Sequence, residues 1–336
     1  MKRSDEIINE YNAMEMIAET TGLILHLQRL STEDGPGIRT TVFYKGCPLQ
    51  CAWCHNPESI TTKPQVQWLE QPCIGCRTCL DVCPNHALSM QEDGLHLDRS
   101  LCIGCGWCAE ACPTNALELL GKRVKVDELA AELLKDRVYF ETSDGGVTLS
   151  GGEPTMQPDF SRALIANLHE AGVSVALDTC GLCKTETLLE LAAQVEYVLY
   201  DLKLADAQLH KQFTGVDNEH ILSNLRQLAQ AMHSGKLTAR LWIRTPLIPA
   251  ATATEENLKA ISAFLAGELG DVVERWELCA FNNLCRDKYR RLGLEWDFCE
   301  TALMTKDQLS QAGEWAKAGG FDPSRIFVTG AARVED

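Results

Sequence analysis

The 336-residue sequence lacks the features that would place it in a membrane, outside the cell or on nucleic acid. It has no run of about 18 apolar residues, which is what a membrane-spanning helix needs. Its first residues, MKRSDEIINEYNAMEM, are too charged for the apolar core of a secretory signal. Basic charge is also scarce, because 47 acidic residues outnumber 31 Lys and Arg and give a net charge of −16. Such a chain repels phosphate backbones, so we expect no nucleic-acid partner. Because it also lacks a membrane-spanning run and a secretory signal, we expect a cytoplasmic protein with no membrane partner.

Cysteine, in contrast, is abundant, with 16 copies in a chain that is 45% hydrophobic and can build a real core. Disulfide scaffolds of such cysteine content are short secreted proteins. A long chain without a signal peptide more often uses its thiols to bind metal. The spacing of the cysteines therefore decides what they do.

Eight of the cysteines lie in an internal repeat. The segments PCIGCRTCLDVCPNHAL (72–88) and LCIGCGWCAEACPTNAL (101–117) align without a gap, and each contains C-x2-C-x2-C-x3-C-P. In two-cluster ferredoxins with this spacing, the fourth cysteine of each run binds the other cluster. The rule predicts two 4Fe–4S clusters, one held by Cys73, Cys76, Cys79 and Cys112, and the other by Cys102, Cys105, Cys108 and Cys83. A pair of zinc sites is the alternative, since zinc also accepts four thiolates.

A separate group, in KGCPLQCAWCHNP (45–57), contains only Cys47, Cys51 and Cys54. Three thiolates bind three irons of a cubane cluster and leave the fourth iron without a protein ligand, much as catalytic zinc sites keep one position open. An amino acid that chelates through its amine and carboxylate would complete that iron. The alternative is a fourth thiolate from the remaining cysteines, which are Cys180, Cys183, Cys279, Cys285 and Cys299.

Around the repeat, strand-like and helix-like segments alternate along the chain. Strands are predicted over 40–45, 146–150, 173–178, 197–203, 237–244 and 275–281, with 326–329 as an addition. Amphipathic helices are predicted over 126–136, 158–172, 185–194, 220–233, 254–267 and 305–319. Such alternation predicts an α/β fold with a parallel sheet, and six main strands are too few for a closed eight-stranded barrel. A partial barrel or open sheet is therefore expected.

The distance between the first two strands shows where the repeat sits in the chain. It interrupts the first βα unit, so we predict a ferredoxin-like insert over 60–121 within a body formed by 22–59 and 122–336. Residues 1–21 form an N-terminal extension, and an amphipathic helix that folds back on the body is the simplest prediction for it.

Polar and glycine-rich motifs stand at the C-terminal end of every main strand. They are GCPLQCAWC, GGEP (151–154), DTCG (178–181), DLK (201–203), IRTP (243–246) and FNN (281–283). In a parallel barrel these ends share one face, where active sites are built. Each motif alone could be ordinary loop punctuation, but together they predict one site.

These residues carry a resemblance to a known family. The segment GLILHLQRLSTEDGPGIRTTVFYKGCPLQCAWCHNPES (22–59) resembles the signature of the glycyl-radical-enzyme activating enzymes, members of the radical S-adenosylmethionine superfamily. The ferredoxin-like insert is similar to that of the larger members, and the resemblance covers nearly the whole chain from about residue 22. It implies a partial (β/α)6 barrel of the radical S-adenosylmethionine type with an inserted bacterial-ferredoxin-like domain.

The resemblance also implies an activity and its cofactors. Three 4Fe–4S clusters and S-adenosylmethionine are expected, with the methionine part of the cofactor on the open iron of the first cluster. Reductive cleavage of the cofactor gives a 5′-deoxyadenosyl radical, which takes a hydrogen atom from a backbone glycine of a partner glycyl radical enzyme. The electron is expected from a reductant of the flavodoxin or ferredoxin type.

Site residues follow from the resemblance by position. Gly151, Gly152 and Glu153 match the segment that binds the methionine amine, and Asp201, Leu202 and Lys203 the segment that meets the methionine carboxylate. Asp178 and Thr179 match a pair near the cofactor or a cation, Trp53 and His55 would pack by the adenine, and Arg244 would meet the carboxylate or ribose. Asn282 stands where relatives carry a cofactor-contacting histidine, because this chain reads ELCAFNNLC where they often read ELLPFHNLG. Asp34 matches a position near the incoming glycyl loop.

Several alternatives stay open from the sequence. His55 could be a structural hydrogen-bonding residue, Arg244 a strand-end salt bridge, and Asp34 part of an Asx turn. Cys180 and Cys183 form a C-x2-C pair, for which ordinary packing or reduced thiols are favoured. The two extra clusters could relay electrons, stabilise the insert or dock the partner. Two other functions are also considered. One is a different radical S-adenosylmethionine enzyme that modifies peptides, and the other is a non-enzymatic electron carrier.

Overall fold

The structure, a computed structural model, describes residues 20–333. The predicted helix of the N-terminal extension lies outside the described residues. Within 20–333, no helix is long and apolar enough to cross a bilayer.

Thirteen β-strands form three sheets in the described part of the chain. They are β1 (Thr21–Ser31), β2 (Arg39–Tyr44), β3 (Gln65–Trp68), β4 (Leu88–Gln91), β5 (Gly94–Leu97), β6 (Leu117–Leu120), β7 (Lys122–Lys125), β8 (Gly146–Gly151), β9 (Ser174–Thr179), β10 (Tyr197–Asp201), β11 (Arg240–Leu247), β12 (Val273–Ala280) and β13 (Ile326–Thr329). Nine of them form one sheet in the order β13-β12-β11-β10-β9-β8-β2-β1-β7.

The nine-stranded sheet confirms the predicted partial barrel. Strands β2 and β8 to β13 are parallel and lie side by side in chain order. Among residues 20–333 the two edge strands, β7 and β13, do not pair with each other, so the barrel stays open. The predicted strand at 237–244 is shifted, because β11 begins at Arg240 and continues to Leu247.

Two strands of this sheet were missed by the sequence analysis. β1 pairs antiparallel with both β2 and β7, and its pairing with β2 contains two irregularities. The irregular register disturbs the alternation of apolar and polar residues that predicts a strand. β7 reads KRVK and lies at the edge of the sheet, where charged residues block pairing with other chains.

Eleven α-helices accompany the strands within the described residues. They are α1 (Thr78–Asp81), α2 (Trp107–Glu110), α3 (Val126–Leu133), α4 (Arg137–Ser143), α5 (Pro158–Glu170), α6 (Thr185–Ala192), α7 (Ala207–Thr214), α8 (Glu219–His233), α9 (Glu255–Phe264), α10 (Arg286–Leu292) and α11 (Lys306–Ala318). The six amphipathic segments correspond to α3, α5, α6, α8, α9 and α11. The sequence analysis did not predict α4, α7 and α10, each of which has only seven or eight residues.

The hydrophobic core lies between the sheet and the outer helices. Leu149, Leu177 and Trp276 point outward from their strands and are fully buried in it. Successive strand residues point to opposite faces, so the residues between them line the barrel interior. There the strand register places Asp201 of β10 beside Arg244 of β11. Asp178 of β9 pairs with the β10 residue two positions before Asp201, so all three side chains lie on the same face of the sheet. The parallel sheet thus collects charged groups inside the barrel.

The insert forms a small unit with its own sheets. β3 pairs with β6, β4 pairs with β5, and the short helices α1 and α2 occupy equivalent positions of the two repeats. The insert contacts the body where Arg99 donates a hydrogen bond to the Arg291 carbonyl at 2.9 Å. Within the insert, the loop at Gly104 packs on the Pro64 carbonyl oxygen, which lies 2.2 Å from where a Cβ would stand.

Candidate active site and cluster sites

A cavity of about 530 Å³ lies at the C-terminal ends of the parallel strands. Residues from all six strand-end motifs meet in this cavity. Its lining includes Asp34, Cys47, Cys51, Trp53, Cys54, His55, Gly151, Gly152, Asp178, Thr179, Asp201, Lys203, Arg244 and Asn282. Of the site residues predicted for this region, Glu153 and Leu202 do not line the cavity.

The three-cysteine loop is held by its backbone at one edge of the cavity. The N–H of Cys47 donates to the Ile60 carbonyl at 3.0 Å, and the N–H of Ala52 donates to the Phe213 carbonyl at 2.8 Å. A further N–H, that of Cys54, donates to the Cys51 carbonyl at 3.0 Å. These three hydrogen bonds fix the path of the loop along the cavity.

Helix α10 and the segment after it clamp this loop from outside. The Tyr289 hydroxyl donates to the Cys54 carbonyl at 2.9 Å, Trp296 Nε1 to the Ala52 carbonyl at 3.0 Å, and Lys288 Nζ to the His55 carbonyl at 3.1 Å. Lys288 also pairs with the buried carboxylate of Glu58 at 2.7 Å. Sequence reasoning missed these residues, because nothing local marks a short helix as the support of a loop more than 200 positions away.

The structure gives the two glycines of GGEP a packing role. A Cβ on Gly151 would lie 2.5 Å from Phe43 Cα, and a Cβ on Gly152 would lie 2.1 Å from the Gly46 carbonyl oxygen. The Gly152 N–H donates to the Tyr44 carbonyl at 2.9 Å. Both glycines therefore allow the end of β8 to approach the backbone that leads into the cysteine loop.

Glu153 is fully buried, and its carboxylate is occupied by neighbouring residues. Oε1 accepts hydrogen bonds from the Thr155 hydroxyl at 2.7 Å and the Thr179 hydroxyl at 2.8 Å, and Oε2 accepts from the Cys180 N–H at 2.8 Å. The sequence analysis expected this carboxylate to receive the methionine amine. In the structure it fixes the turn after β9, and it does not line the cavity. Leu202 likewise packs in the hydrophobic core, and its N–H donates to the Arg244 carbonyl at 2.9 Å.

Charged side chains of both signs meet in the cavity. Lys203 forms an ion pair with Asp201, and Arg244 Nη1 lies 3.5 Å from Asp178 Oδ2 and 3.8 Å from Asp34 Oδ1. Burial disfavours the charge on Lys203, but Asp201 and Cys51 outweigh this effect and raise its pKa. The lysine therefore remains a cation within the site.

Asp178 is an acidic residue of the cavity in which one carboxylate oxygen accepts no hydrogen bond. Its Oδ2 accepts from the Ser150 hydroxyl at 2.6 Å, whereas its buried Oδ1 has no hydrogen-bond partner in the described structure. Burial raises the pKa of Asp178 to about 7, although Arg244 opposes this shift. An unpaired buried acceptor is costly, so the site favours a ligand that donates a hydrogen bond here.

The residues expected beside an adenine also line the cavity. Trp53 is almost fully buried in an aromatic cluster with Phe213 and Phe298. His55 Nε2 is 2.7 Å from the Asn282 carbonyl oxygen, and burial lowers the pKa of His55, which keeps the ring neutral. Asn282 thus uses its backbone to position His55, while its side-chain Oδ1 accepts from the Leu284 N–H at 3.2 Å.

Asp34 lies at the edge of the cavity, in the loop between β1 and β2. Its Oδ2 accepts hydrogen bonds from the hydroxyls of Ser31 at 2.6 Å and Thr41 at 2.7 Å. The carboxylate is thereby held inside the barrel mouth close to Arg244.

Three cysteines that the sequence left unassigned also line this cavity. They are Cys180, Cys279 and Cys285, whereas Cys183 and Cys299 do not line it. Cys285 Sγ lies 3.8 Å from the Cys54 carbonyl oxygen, against the cysteine loop. Of the five cysteines considered as a fourth thiolate for the first cluster, these three therefore remain the candidates.

Two small cavities in the insert gather the eight repeated cysteines in the predicted crossed sets. One, of about 20 Å³, is lined by Cys73, Cys76, Cys79 and Cys112, and the other, also of about 20 Å³, by Cys83, Cys102, Cys105 and Cys108. Backbone N–H groups point at the sulfurs that cross between runs, with Ala87 N 3.3 Å from Cys83 Sγ and Ala116 N 3.2 Å from Cys112 Sγ. Such donors suit thiolates that carry cluster charge.

The arrangement of these thiols fits clusters better than single metal ions. Zinc draws four ligands to about 2.3 Å from one point. Within the described residues, no group of three or more His, Cys, Asp or Glu side chains is placed to hold one metal ion. A cubane cluster instead binds each sulfur to a different iron, so its ligands stand around a cavity.

Comparison with known proteins finds two matching family models and several similar proteins. The family model described as "4Fe-4S dicluster domain" matches residues 72–116, and that described as "Radical SAM superfamily" matches 103–258. The chain is 40% identical over 303 residues to the trans-4-hydroxy-L-proline dehydratase activating enzyme of Clostridioides difficile, covering 89% of this chain and 97% of that protein.

Two further relatives have similar coverage. The choline trimethylamine-lyase activating enzyme of Oleidesulfovibrio alaskensis is 37% identical and covers 83% of this chain and 89% of that protein. The pyruvate formate-lyase 2-activating enzyme of Escherichia coli is 34% identical, with 92% and 94% covered. Among solved structures, a radical SAM methyltransferase from Sphaerobacter thermophilus superposes with a TM-score of 0.52 at 14% identity, over 91% of this chain and 76% of that one. This last likeness concerns the fold alone.

Proposed function

Because the chain belongs to the glycyl-radical-enzyme activating enzymes of the radical S-adenosylmethionine superfamily, we propose that its strand-end cavity binds S-adenosylmethionine at a 4Fe–4S cluster held by Cys47, Cys51 and Cys54. The chain generates a radical from S-adenosylmethionine and activates a glycyl radical enzyme. When bound and reduced, the cluster supplies the electron that cleaves the cofactor to methionine and a 5′-deoxyadenosyl radical, which takes a hydrogen atom from a backbone glycine of the partner.

The cavity supports this proposal because it offers one partner for each charged group of the amino acid part of the cofactor. Lys203 is a buried cation suited to a carboxylate, and the unpaired Oδ1 of Asp178 is an acceptor suited to an ammonium. Arg244 stands between Asp178 and Asp34 and keeps their negative charge balanced. We assign these residues, with Asp201 and Thr179 beside them, to cofactor binding.

The aromatic wall would exclude water from the reacting groups. Trp53 lies within the aromatic cluster, and the neutral ring of His55 presents an uncharged surface to the adenine. Excluding water protects a reactive radical from side reactions. Asn282 acts in this proposal through its carbonyl, which holds His55.

We also assign three clusters to the chain, the second and third held by the crossed cysteine sets of the insert. Cys76 and Cys105 are the exposed members of those sets, which supports electron entry through the insert from a reductant of the flavodoxin or ferredoxin type. A location in the cytoplasm suits thiols that must stay reduced.

The partner's glycine loop is proposed to enter beside Asp34. This carboxylate accepts hydrogen bonds from Ser31 and Thr41 and belongs to the β1–β2 loop, which contributes to the cavity lining. The relatives named above serve partners of different chemistry at similar identity, so the proposal concerns the activation reaction that they share.

The observation that carries the proposal is the convergence of the three-cysteine loop with the motifs of the other five strands on one cavity. The test uses the whole chain, reconstituted anaerobically with iron and sulfide and reduced with dithionite. Addition of S-adenosylmethionine should yield 5′-deoxyadenosine and methionine, and a Cys54→Ala variant should yield neither. A chain that only stores electrons would reduce acceptors but leave S-adenosylmethionine intact.

Activation itself is read from the partner. Candidate glycyl radical enzymes, chosen to match the named relatives, are mixed with the reduced chain and S-adenosylmethionine. The expected result is a glycyl radical signal in electron paramagnetic resonance (EPR) spectra of one candidate. A radical formed instead on an added small peptide, with none on any candidate, would favour a peptide-modifying enzyme.

A further inference from the structure

Arg39 is a fully buried arginine that the proposed reaction does not use. Its Nε donates a hydrogen bond to Thr148 Oγ1 at 2.7 Å, and its Nη1 donates to the Pro36 carbonyl at 3.3 Å. Its Nη2 donates to the carbonyls of Val147 at 2.7 Å and Ser174 at 3.2 Å. The guanidinium therefore ties the start of β2 to β8, to β9 and to the loop between β1 and β2.

The charge of Arg39 is kept inside the barrel at a cost that these four oxygens offset. Burial lowers the pKa of Arg39 to about 10, so the side chain is still a cation at neutral pH. A buried charge destabilises a protein unless hydrogen bonds replace its water. Because all four acceptors are neutral oxygens of fixed strands and of one loop, the arginine and that loop hold each other in place.

The loop over residues 32–38 lies inside the barrel, against both Arg39 and the active site. Asp34 lines the cavity, and the Glu33 carbonyl accepts a hydrogen bond from Arg244 Nη2 at 3.2 Å. Gly35 has φ +116°, and a Cβ there would lie 3.0 Å from Arg39 Cδ. The loop therefore reaches the cavity while it packs on the arginine side chain.

A single hydroxyl, that of Thr148, connects Arg39 to Asp34. It accepts from Arg39 Nε at 2.7 Å and donates to the Asp34 carbonyl at 2.7 Å. A hydroxyl has one proton to donate, and the arginine, which only donates, leaves that proton directed at Asp34. The hydroxyls of Ser31 and Thr41 hold the Asp34 carboxylate separately. The backbone and the side chain of Asp34 are thus fixed by two different sets of contacts.

We infer that Arg39 is a positioning residue that acts through Thr148 and holds Asp34 where the partner's glycine loop meets it. The inference rests on the proposed function, since it requires that loop to enter beside Asp34. Displacement by about 1 Å of a group that orients a substrate can slow a reaction by about a hundredfold. Arg39 and Asp34 belong to the same segment, DGPGIR, which therefore contains both the contacting group and its support.

The first test measures whether this connection holds the loop. Substitution of Arg39 itself would leave several buried acceptors unpaired, so the test variant is Thr148→Val, which keeps the side-chain shape and removes the hydroxyl. Hydrogen exchange of the backbone over 32–38, followed by mass spectrometry on the iron-replete chain, should become about tenfold faster. Thr148→Ser, which keeps the hydroxyl, should exchange as the wild type does. Unchanged exchange in folded Thr148→Val would overturn the inference.

Thr40→Val is the matched control for this measurement. Thr40 is an equally buried threonine on the neighbouring strand, and its hydroxyl donates to Asp136 Oδ2 at 2.7 Å, between α3 and α4. This variant loses a buried hydrogen bond that does not lead to Asp34. The exchange of 32–38 should therefore stay at the wild-type rate, and equal acceleration in both variants would overturn the inference.

The second test measures the consequence for activation, on the candidate enzyme that gains a glycyl radical. Thr148→Val should raise the apparent KM for this partner about tenfold, while the iron content and the 5′-deoxyadenosine formed without partner stay at wild-type values. Asp34→Ala should raise the KM as well, and Thr148→Val should add nothing to it, because both changes act on one group.

The outcomes separate the inference from the function on which it rests. A Thr148→Val effect of the same size in the Asp34→Ala background would overturn the inference, since it would not pass through Asp34. An unchanged KM in Asp34→Ala would overturn entry of the glycine loop beside this residue. Absence of 5′-deoxyadenosine from the reduced wild-type chain would instead overturn the proposed function.

Discussion

The carboxylate of Glu153 accepts the N–H of Cys180 at 2.8 Å and so joins the end of β8 to the turn after β9. The two residues stand 27 positions apart, in the motifs GGEP and DTCG. This contact explains why a fully buried carboxylate lies beside the active site without facing it. It also means that substitution of Glu153 should disturb the chemistry through the turn.

Glu153→Gln should destabilise the protein and slow the reaction. A Gln side chain replaces one acceptor oxygen of the carboxylate with an NH₂ group. This NH₂ group would face one of the buried donors that the carboxylate now accepts from, which lowers the free energy of unfolding by about 1–3 kcal/mol. Production of 5′-deoxyadenosine should fall at least about tenfold, because the turn that carries Thr179 and Cys180 loses its anchor.

The matched control for this variant is Glu196→Gln. Glu196 Oε2 also accepts a strand N–H, that of Val175 at 2.7 Å, but at the opposite end of β9. The control should lose stability and keep the specific activity of the folded fraction. Equal loss of activity in both variants would show that only stability is involved.

Gly152→Ala should disrupt the first cluster site. The added Cβ would stand 2.1 Å from the Gly46 carbonyl oxygen, a backbone atom that cannot move without displacing the cysteine loop. We expect a loss of about 1–3 kcal/mol in the free energy of unfolding and a lower iron content. Gly267→Ala is the control, since no atom lies within 4 Å of its Cβ position, and it should retain all iron.

Pairs of cysteine substitutions test the crossed arrangement in the insert. Cys112→Ala with Cys76→Ala should remove one cluster, or about four irons, because both residues line the same cavity. Cys112→Ala with Cys105→Ala should remove two clusters, or about eight irons, because the residues line different cavities. Iron and sulfide analysis of the purified variants provides the measurement. If each run held its own cluster, the two results would be exchanged.

Lys203→Met should weaken binding of S-adenosylmethionine by roughly tenfold to a hundredfold while the iron content stays complete. A hydrogen bond to a charged group contributes about 1.5–3 kcal/mol, and the variant removes the buried cation proposed for the methionine carboxylate. Anaerobic titration calorimetry gives the dissociation constant.

The same substitution also leaves Asp201 without its ion-pair partner. A double variant, Lys203→Met with Asp201→Leu, should therefore recover stability but not affinity. Recovery of both would mean that the lysine serves only its neighbour.

Asp178→Asn should change the pH dependence of stability. Burial raises the pKa of Asp178 from 3.8 to about 7, so the folded state holds the proton more tightly than the unfolded state does. The protonated folded form is favoured at low pH, and this stability is lost as pH rises between about 4 and 7. The wild type should therefore lose stability relative to Asp178→Asn across this range, by on the order of 1–3 kcal/mol.

Apparent Tm values at pH 5 and pH 8, measured anaerobically without S-adenosylmethionine, test this dependence. The exposed residue Asp297 provides the control, and Asp297→Asn should show the same difference from the wild type at both pH values. A constant difference for Asp178→Asn would show that its carboxyl titrates normally.

The sequence by itself determined the features that depend on neighbours along the chain. Cluster-binding thiols must stand at short fixed spacings, so the candidate ligands and their crossed assignment could be predicted from two aligned runs. Helices and strands alternate by a local pattern, which gave the parallel strands and the position of the motifs at their C-terminal ends. The structure gathers those motifs around one cavity.

Only the tertiary structure decided what depends on contacts between distant segments. Glu153 and Gly152 match cofactor-binding positions in sequence, and the structure adds that Glu153 holds the turn after β9 and that Gly152 packs closely on Gly46. The support of the cysteine loop by α10 joins residues more than 200 positions apart. A side chain's hydrogen-bond partner is set by packing of the whole barrel, and no local pattern encodes it.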